Sequence, residues 1–213
     1  MQAKEYLAHS QNAAGDVDPL SYHIQGVAAL AAEYAAVFCA GEEARVAGLM
    51  HDLGKYGDLF QRRLEGKERG IDHWSAGAWE SLSKYKYDGI AAALAVQGHH
   101  LGLGQSSKDA LAALEPARLR QFHPLGLRLS SPDAASLLER FAGEGLALGE
   151  VPTSVYDARK HLGAGESQAA GMLDVRMLYS ALVDADFVET EAFFQGRPAE
   201  GKVRRISGPA LRP

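Results

Sequence analysis

The sequence predicts an all-α protein built as one domain, and three observations lead there. Apolar residues recur at spacings of three and four through long stretches, the signature of amphipathic helices. Helix-starting residues such as Asp72, Asp88 and Pro132-Asp133 punctuate those stretches. Alternating apolar and polar runs, the mark of half-buried strands, are nearly absent.

The elements follow in order. Ile24, Val27, Leu30, Tyr34 and Phe38 line one face of a helix predicted over 21–38. Gly41 opens a second, in which Glu42 and Glu43 favour the positive N-terminal end and Val46, Leu49 and Met50 form the apolar face. Gly54 is expected to end it in the left-handed conformation common just past a helix. Asp72 is placed to cap a helix through Trp79, and Asp88 one over 90–96. A further helix is predicted from Pro132-Asp133 to about Phe141, and a last one over 172–193. Residues 98–105, with three glycines and two histidines, read as a loop at a helix end. Residues 143–170 read as a flexible insert rich in Gly, Pro and Ser. The domain is assigned to residues 1–200, and 201–213 to a basic tail or linker.

Composition narrows the function. The chain has 213 residues, 46% apolar and 23% charged, enough for one globular core. No run approaches the roughly 18–20 apolar residues that a membrane span requires. The N-terminus lacks a secretory pattern, and the single cysteine, Cys39, excludes an intrachain disulfide. A cytoplasmic protein is expected. The net charge of −5 counts against tight stand-alone binding of nucleic-acid phosphates. Bound cations or a partner would have to supply that attraction.

The most informative string runs from Gly48 through His51, Asp52, Gly54 and Lys55. Neighbours inside a helix point about 100° apart and rarely share a ligand. At a helix end, imidazole and carboxylate can converge on one ion. A neutral nitrogen with a hard oxygen suits Mn, Fe, Co, Ni or Zn. Lys55 then places a fixed cation where a phosphate would sit. The blander reading is a surface helix terminus with polar caps.

Eight histidines occur in the chain. His23 shares the apolar face of Val27 and Leu30, and singly reads as a core histidine. His73 reads as a residue of a first helical turn, and His99 and His100 as the end of another helix. The carboxylate complement lies late, where Asp184 lies next to the apolar Leu182, Val183 and Phe187 and Asp186 projects on a different face. A carboxylate on a packed face needs a partner, because burying an unpaired charge is expensive. A solvated acidic face is the alternative.

The order of these groups resembles the HD phosphohydrolase superfamily, and the local strings resemble the HD nuclease of type I CRISPR interference. The matching strings are Tyr22-His23, Gly48 to Lys55 with Phe60-Gln61, Asp72 to Gly77, Gly98 to Gly102, and Ser180 to Asp186 continuing to Thr190-Glu191. The resemblance implies a helical bundle with a metal site in its core and two divalent ions, Mn, Ni, Co or Fe, with Mg as an option. His51, Asp52 and Asp186 would hold one ion, with His23 beside them. His73, His99 and His100 would hold the second, with Asp52 as the bridge. Asp186 is favoured over Asp184 because the superfamily places this aspartate in an Ala-Asp pair. Asp52 and Lys55 would be the catalytic pair, Lys55 meeting the scissile phosphate or the attacking water.

The implied activity is metal-dependent cleavage of single-stranded DNA, in concert with a superfamily-2 helicase domain or subunit and the CRISPR surveillance complex. Two ions suit that chemistry, since they activate the nucleophile and stabilise the leaving oxygen of an anionic diester. Arg62, Arg63 and Lys67 are candidates for the DNA path, although alone they read as a solvated basic loop. No helicase motif follows, so the chain reads as a stand-alone subunit or an excised domain. The alternatives are a phosphohydrolase of small nucleotides, such as a dNTP or cyclic nucleotide, and a non-catalytic, metal-stabilised docking module.

Overall fold

A computed structural model describes residues 5–150 and 167–196 of the chain. Helices dominate it. A short strand β1, Leu7–His9, pairs antiparallel with β2, Asp18–Pro19, and leads into α1, Leu20–Ala36. Then come α2, Gly41–Met50, a tight turn over Leu53–Tyr56, and α3, Asp58–Leu64. The two-residue strand β3, Ile71–Asp72, precedes α4, Ser75–Tyr85. A second tight turn, Lys86–Gly89, runs into α5, Ile90–Leu101. The small helices α6, Lys108–Ala112, and α7, Pro116–Gln121, precede β4, Arg128–Leu129, which pairs parallel with β3. Helix α8, Ala134–Gly143, and the long α9, Ser167–Phe194, complete the described residues.

The packing follows from residue size. In α1 the buried face combines Leu20, Ile24, Val27 and Leu30 with small alanines, and α2 and α9 both pack on it. Gly48 of α2 lies so close to α1 that a β-carbon there would meet the Ala28 Cα at 2.5 Å. Helix α5 is buried from Ala91 to Val96, as expected for an apolar helix inside a bundle. It packs against α4 on one side and α9 on another. Each fully buried Leu, Ile or Met contributes about 1.5–3 kcal/mol. Leu20, Ile24, Met50, Leu53, Leu178 and Leu182 are fully buried in this way in one core cluster. The polar groups described below therefore project from a rigid frame.

The all-α architecture expected from periodicity is the one observed. Helix α8 begins as expected, with the Asp133 carboxylate accepting from the Ser136 N–H at 3.0 Å. Asp72 is not the capping residue of α4, which is Trp74. It lies two residues earlier in β3, where its Oδ1 accepts from the N–H groups of Trp74 and Ser75 at 3.0 and 2.9 Å.

Other local expectations are corrected. Asp88 does not cap α5; it lies inside the tight turn Lys86–Gly89, whose backbone runs directly into that helix. Helix α5 extends to Leu101, so His99 and His100 are in its last turn rather than in a loop. Helix α2 ends at Met50, and Gly54 takes no left-handed conformation. Gly54 is needed for a different reason: a β-carbon there would lie 2.6 Å from the His73 Cα. His73 itself lies between β3 and α4, ahead of the first helical turn. Helix α9 starts earlier than predicted, inside the segment read as a flexible insert. Residues 151–166 of that segment, and the 201–213 tail, lie outside the described residues.

Candidate metal centre

The end of α2 makes the first part of the site. His51 still has helical backbone angles, φ −55° and ψ −35°, whereas Asp52 departs to φ −117° and ψ 21°. That break lets two adjacent side chains converge, which a continuing helix would prevent. The turn after it is clamped from α8: Arg140 donates to the Tyr56 carbonyl at 2.7 Å, and the Tyr56 hydroxyl donates to Glu144 at 2.8 Å. Lys55, within this turn, is 6% exposed.

Helix ends also orient the imidazoles. The last carbonyls of a helix lack intrahelical partners. His51 Nδ1–H donates to the Gly48 carbonyl at 2.7 Å, and His99 Nδ1–H to that of Val96 at 2.6 Å. Each ring is thereby anchored at Nδ1 with Nε2 turned inward, the arrangement that metal-binding histidines use.

Two groups of donors result. In the first, Asp52 Oδ2 lies 3.1 Å from His51 Nε2 and 3.3 Å from His23 Nε2. Asp186 Oδ1 approaches the same two nitrogens at 3.7 and 3.3 Å. In the second, His73 Nε2 and His100 Nε2 are 2.8 Å apart, and Asp52 Oδ1 is 3.6 Å from His73 Nε2. His99 joins them, and one ligand atom from each of Asp52, His73, His99 and His100 falls within 4.8 Å of the others. His23, His51 and Asp52 satisfy the same criterion. Asp52 belongs to both groups and sends one oxygen toward each.

The electrostatics suit cations. Burial would raise the Asp52 carboxyl, yet His51, Lys55 and His23 override it and hold it well below the usual carboxylate range. Burial likewise opposes ionisation of Asp186, and the hydrogen bond to His23 and the charge of His51 reverse the effect. Burial, reinforced by His100 and His51, pushes His99 down to about 3. His73 is also held well below its usual value, chiefly by burial. His99 and His73 are therefore neutral at pH 7, the form that binds metals.

Divalent ions fit these residues. Asp52 Oδ1 and His99 Nε2 are buried without a hydrogen-bond partner, a state that costs free energy unless a cation or water relieves it. One carboxylate shared by two imidazole groups is an N/O donor set that suits transition metals.

All seven residues singled out as ligands in the sequence, His23, His51, Asp52, His73, His99, His100 and Asp186, lie in this cluster. Asp184 does not; it is exposed. A cavity of about 510 Å³ opens onto the cluster, lined by Asp52, Lys55, His73, His100 and Asp186. Of the basic residues considered for a DNA path, Arg63 lines this cavity, with its guanidinium 5.3 Å from the Phe60 ring. Arg62 instead pairs with Glu68 at 2.9 Å and Lys67 with Glu65 at 2.6 Å.

Sequence reasoning missed His9, Thr190 and Phe194 as cavity residues. His9 pairs with Asp18 at 3.0 Å, and no local spacing announces that contact. It also missed His123, whose Nε2 lies 2.9 Å from the Asp72 carboxylate and ties a distant loop to the segment carrying His73.

No curated protein matches the chain. A family model described as HD domain matches residues 20–134, more than half of the sequence. The match contains the His51-Asp52 pair, together with His23, Lys55, His73, His99 and His100. Among the described residues no helix is long and apolar enough to cross a membrane. The chain therefore belongs to the HD domain family, the superfamily of metal-dependent phosphohydrolases.

Proposed function

We propose that this HD protein is a metal-dependent phosphodiesterase that cleaves single-stranded DNA in type I CRISPR interference, working with a superfamily-2 helicase. The observation that carries the phosphodiesterase reading is Asp52, whose two oxygens face two imidazole groups across one cavity. His23, His51, Asp52 and Asp186 would hold one divalent ion, and Asp52, His73, His99 and His100 the other. Bound there, the ions would supply a water of lowered pKa and neutralise the charge of the diester.

The chain's own residues supply the rest. Lys55 Nζ lies 2.7 Å from Asp52 Oδ2, orienting that carboxylate and adding positive charge at the cavity wall. Phe60 lies beneath both Lys55 and Arg63, with its ring centre 5.5 and 5.3 Å from their charged groups. Phe194, 46% exposed, borders the same cavity. An exposed aromatic face stacks on an unpaired base without regard to sequence, and Phe194 offers one here. Phe60, by contrast, is 1% exposed and serves to hold Lys55 and Arg63 at the wall. This supports a single-stranded substrate. The CRISPR assignment rests on the resemblance of the five strings between residues 22 and 191.

A cavity of about 510 Å³ also lies within the range of small-molecule sites, which favours a nucleotide phosphohydrolase as the second reading. Chelator-stripped protein incubated with circular single-stranded DNA, with Mn, Ni, Co, Mg and Zn restored separately, decides between them. Metal-dependent loss of the circle by the parent, but not by Asp52→Ala, is expected. Hydrolysis of a dNTP or cyclic nucleotide with the circle intact would replace the proposed substrate. Tight metal binding without turnover of either would leave a docking module.

A further inference from the structure

Outside the family-matched segment, β1 and β2 bring a second histidine–carboxylate pair to the cavity wall. The Asp18 side chain is fully buried, and its Oδ2 lies 3.0 Å from His9 Nδ1. A buried carboxylate takes a hydrogen from its neighbour, so His9 donates through Nδ1 and keeps Nε2 as a bare acceptor. That nitrogen is 3.5 Å from Thr190 Oγ1, and Thr190 Oγ1 is 3.4 Å from Asp186 Oδ1. Asp186 and Thr190 are four residues apart on α9, hence stacked on one face. The His9 ring also packs edge-on against His23, with ring centres 4.9 Å apart.

The Thr190 hydroxyl has one hydrogen and two acceptors facing it. An anionic oxygen is the stronger acceptor, so in the metal-free protein the hydrogen points to Asp186 Oδ1. Once Asp186 gives that oxygen to a cation, the hydrogen has a second place to go, because His9 Nε2 is already oriented by Asp18. The half-buried hydroxyl keeps an acceptor in either state. Asp186 needs such support: its side chain is 25% exposed, whereas that of Asp52 is 2%.

We propose that Asp18, His9 and Thr190 form a hydrogen-bonded chain that positions Asp186 for a divalent ion, making His9 and Thr190 positioning residues of the metal centre. This rests on the metal-centre reading but not on the identity of the substrate. Partners of this kind typically change metal affinity by roughly 10- to 100-fold.

The test is calorimetric titration of Mn into metal-free protein, without substrate. Thr190→Val, which keeps the shape and removes the hydroxyl, is expected to weaken one Mn site by about tenfold or more and leave the other unchanged. Thr190→Ser is expected to restore it. His9→Phe is expected to weaken the same site, and the double variant to lose no more than either alone, since the two act in one chain. Thermal unfolding of the metal-free Thr190→Val protein at the parent's temperature separates positioning from damage. Parent-like affinities in Thr190→Val, or a loss that serine does not repair, would overturn the proposal. A parent that takes up no Mn would overturn the metal centre and the proposal together. Failure of DNA cleavage alone touches only the substrate reading.

Discussion

Lys55 Nζ lies 2.7 Å from Asp52 Oδ2, and both residues are almost fully enclosed. The ammonium is the fixed positive charge of the site. It shares that oxygen with the nitrogens of His51 and His23, while Asp52 Oδ1 is left without a hydrogen-bond partner. The carboxylate is thus satisfied on one side and open on the other. Its replacement acts on folding, on metal binding and on catalysis at once.

Asp52→Ala leaves Lys55 buried beside no anion. Removing one partner of a buried ion pair destabilises by about 3–5 kcal/mol, so the metal-free variant is expected to unfold at clearly lower urea than the parent. Since Asp52 faces both imidazole groups, calorimetry is expected to show both ions weakened and cleavage abolished. Retention of two tightly bound ions would contradict the shared role.

Asp184 and Asp186 are two residues apart, yet α9 exposes the first and turns the second toward His23 and His51. Asp184→Asn is expected to leave activity and ion uptake unchanged. Asp186→Asn removes the charge at the first group of donors and is expected to weaken that ion and abolish turnover. Inactivation by Asp184→Asn with normal folding would reverse the assignment.

Gly54→Ala places a β-carbon 2.6 Å from both the Cα and the carbonyl oxygen of His73. The same carbonyl accepts from the Gly54 N–H at 2.9 Å, so neither backbone can move freely. Overpacking of this kind costs about 1–3 kcal/mol. The variant is expected to melt earlier and to lose the ion on the His73 side first. A parent-like melting temperature and full ion uptake would show that the two segments can separate without consequence.

The pH dependence of metal-free stability follows from opposed histidines. Burial pushes His99 down to about 3 and His9 down to about 4, both from 6.5. The unfolded chain therefore binds more protons than the folded one below about 6.5, and stability falls as the pH drops there. His23 runs the other way: burial would lower it, but hydrogen bonds to Asp186 and Asp52 raise it to about 9. Its contribution is complete below 6.5 and lost as the pH rises through 9. The melting temperature is expected to peak near pH 6.5, and a steady rise from 6.5 to 9 would refute this balance.

Local sequence was enough for α1, α2, α4, α5, α8 and α9, because an apolar face at helical spacing has few alternatives to burial. It was not enough for α3, α6 and α7, which are too short to show that period. The seven clustered His and Asp side chains were singled out by the resemblance of the motif strings together with the gathering of histidines at helix ends. Local spacing alone left a core histidine and a solvated acidic face open. It misjudged Gly54 and Asp88, where the deciding neighbour is remote or the backbone takes an unforeseen turn. Local spacing also left Asp184 and Asp186 open, and only the resemblance favoured Asp186. The tertiary structure supplies the physical reason, exposing Asp184 and turning Asp186 toward His23 and His51. Only the tertiary structure could bring His9, Asp18 and Thr190 together. Their contacts span 9 and 181 residues of chain, and a hydrogen bond across such distances leaves no periodicity in the sequence to be read.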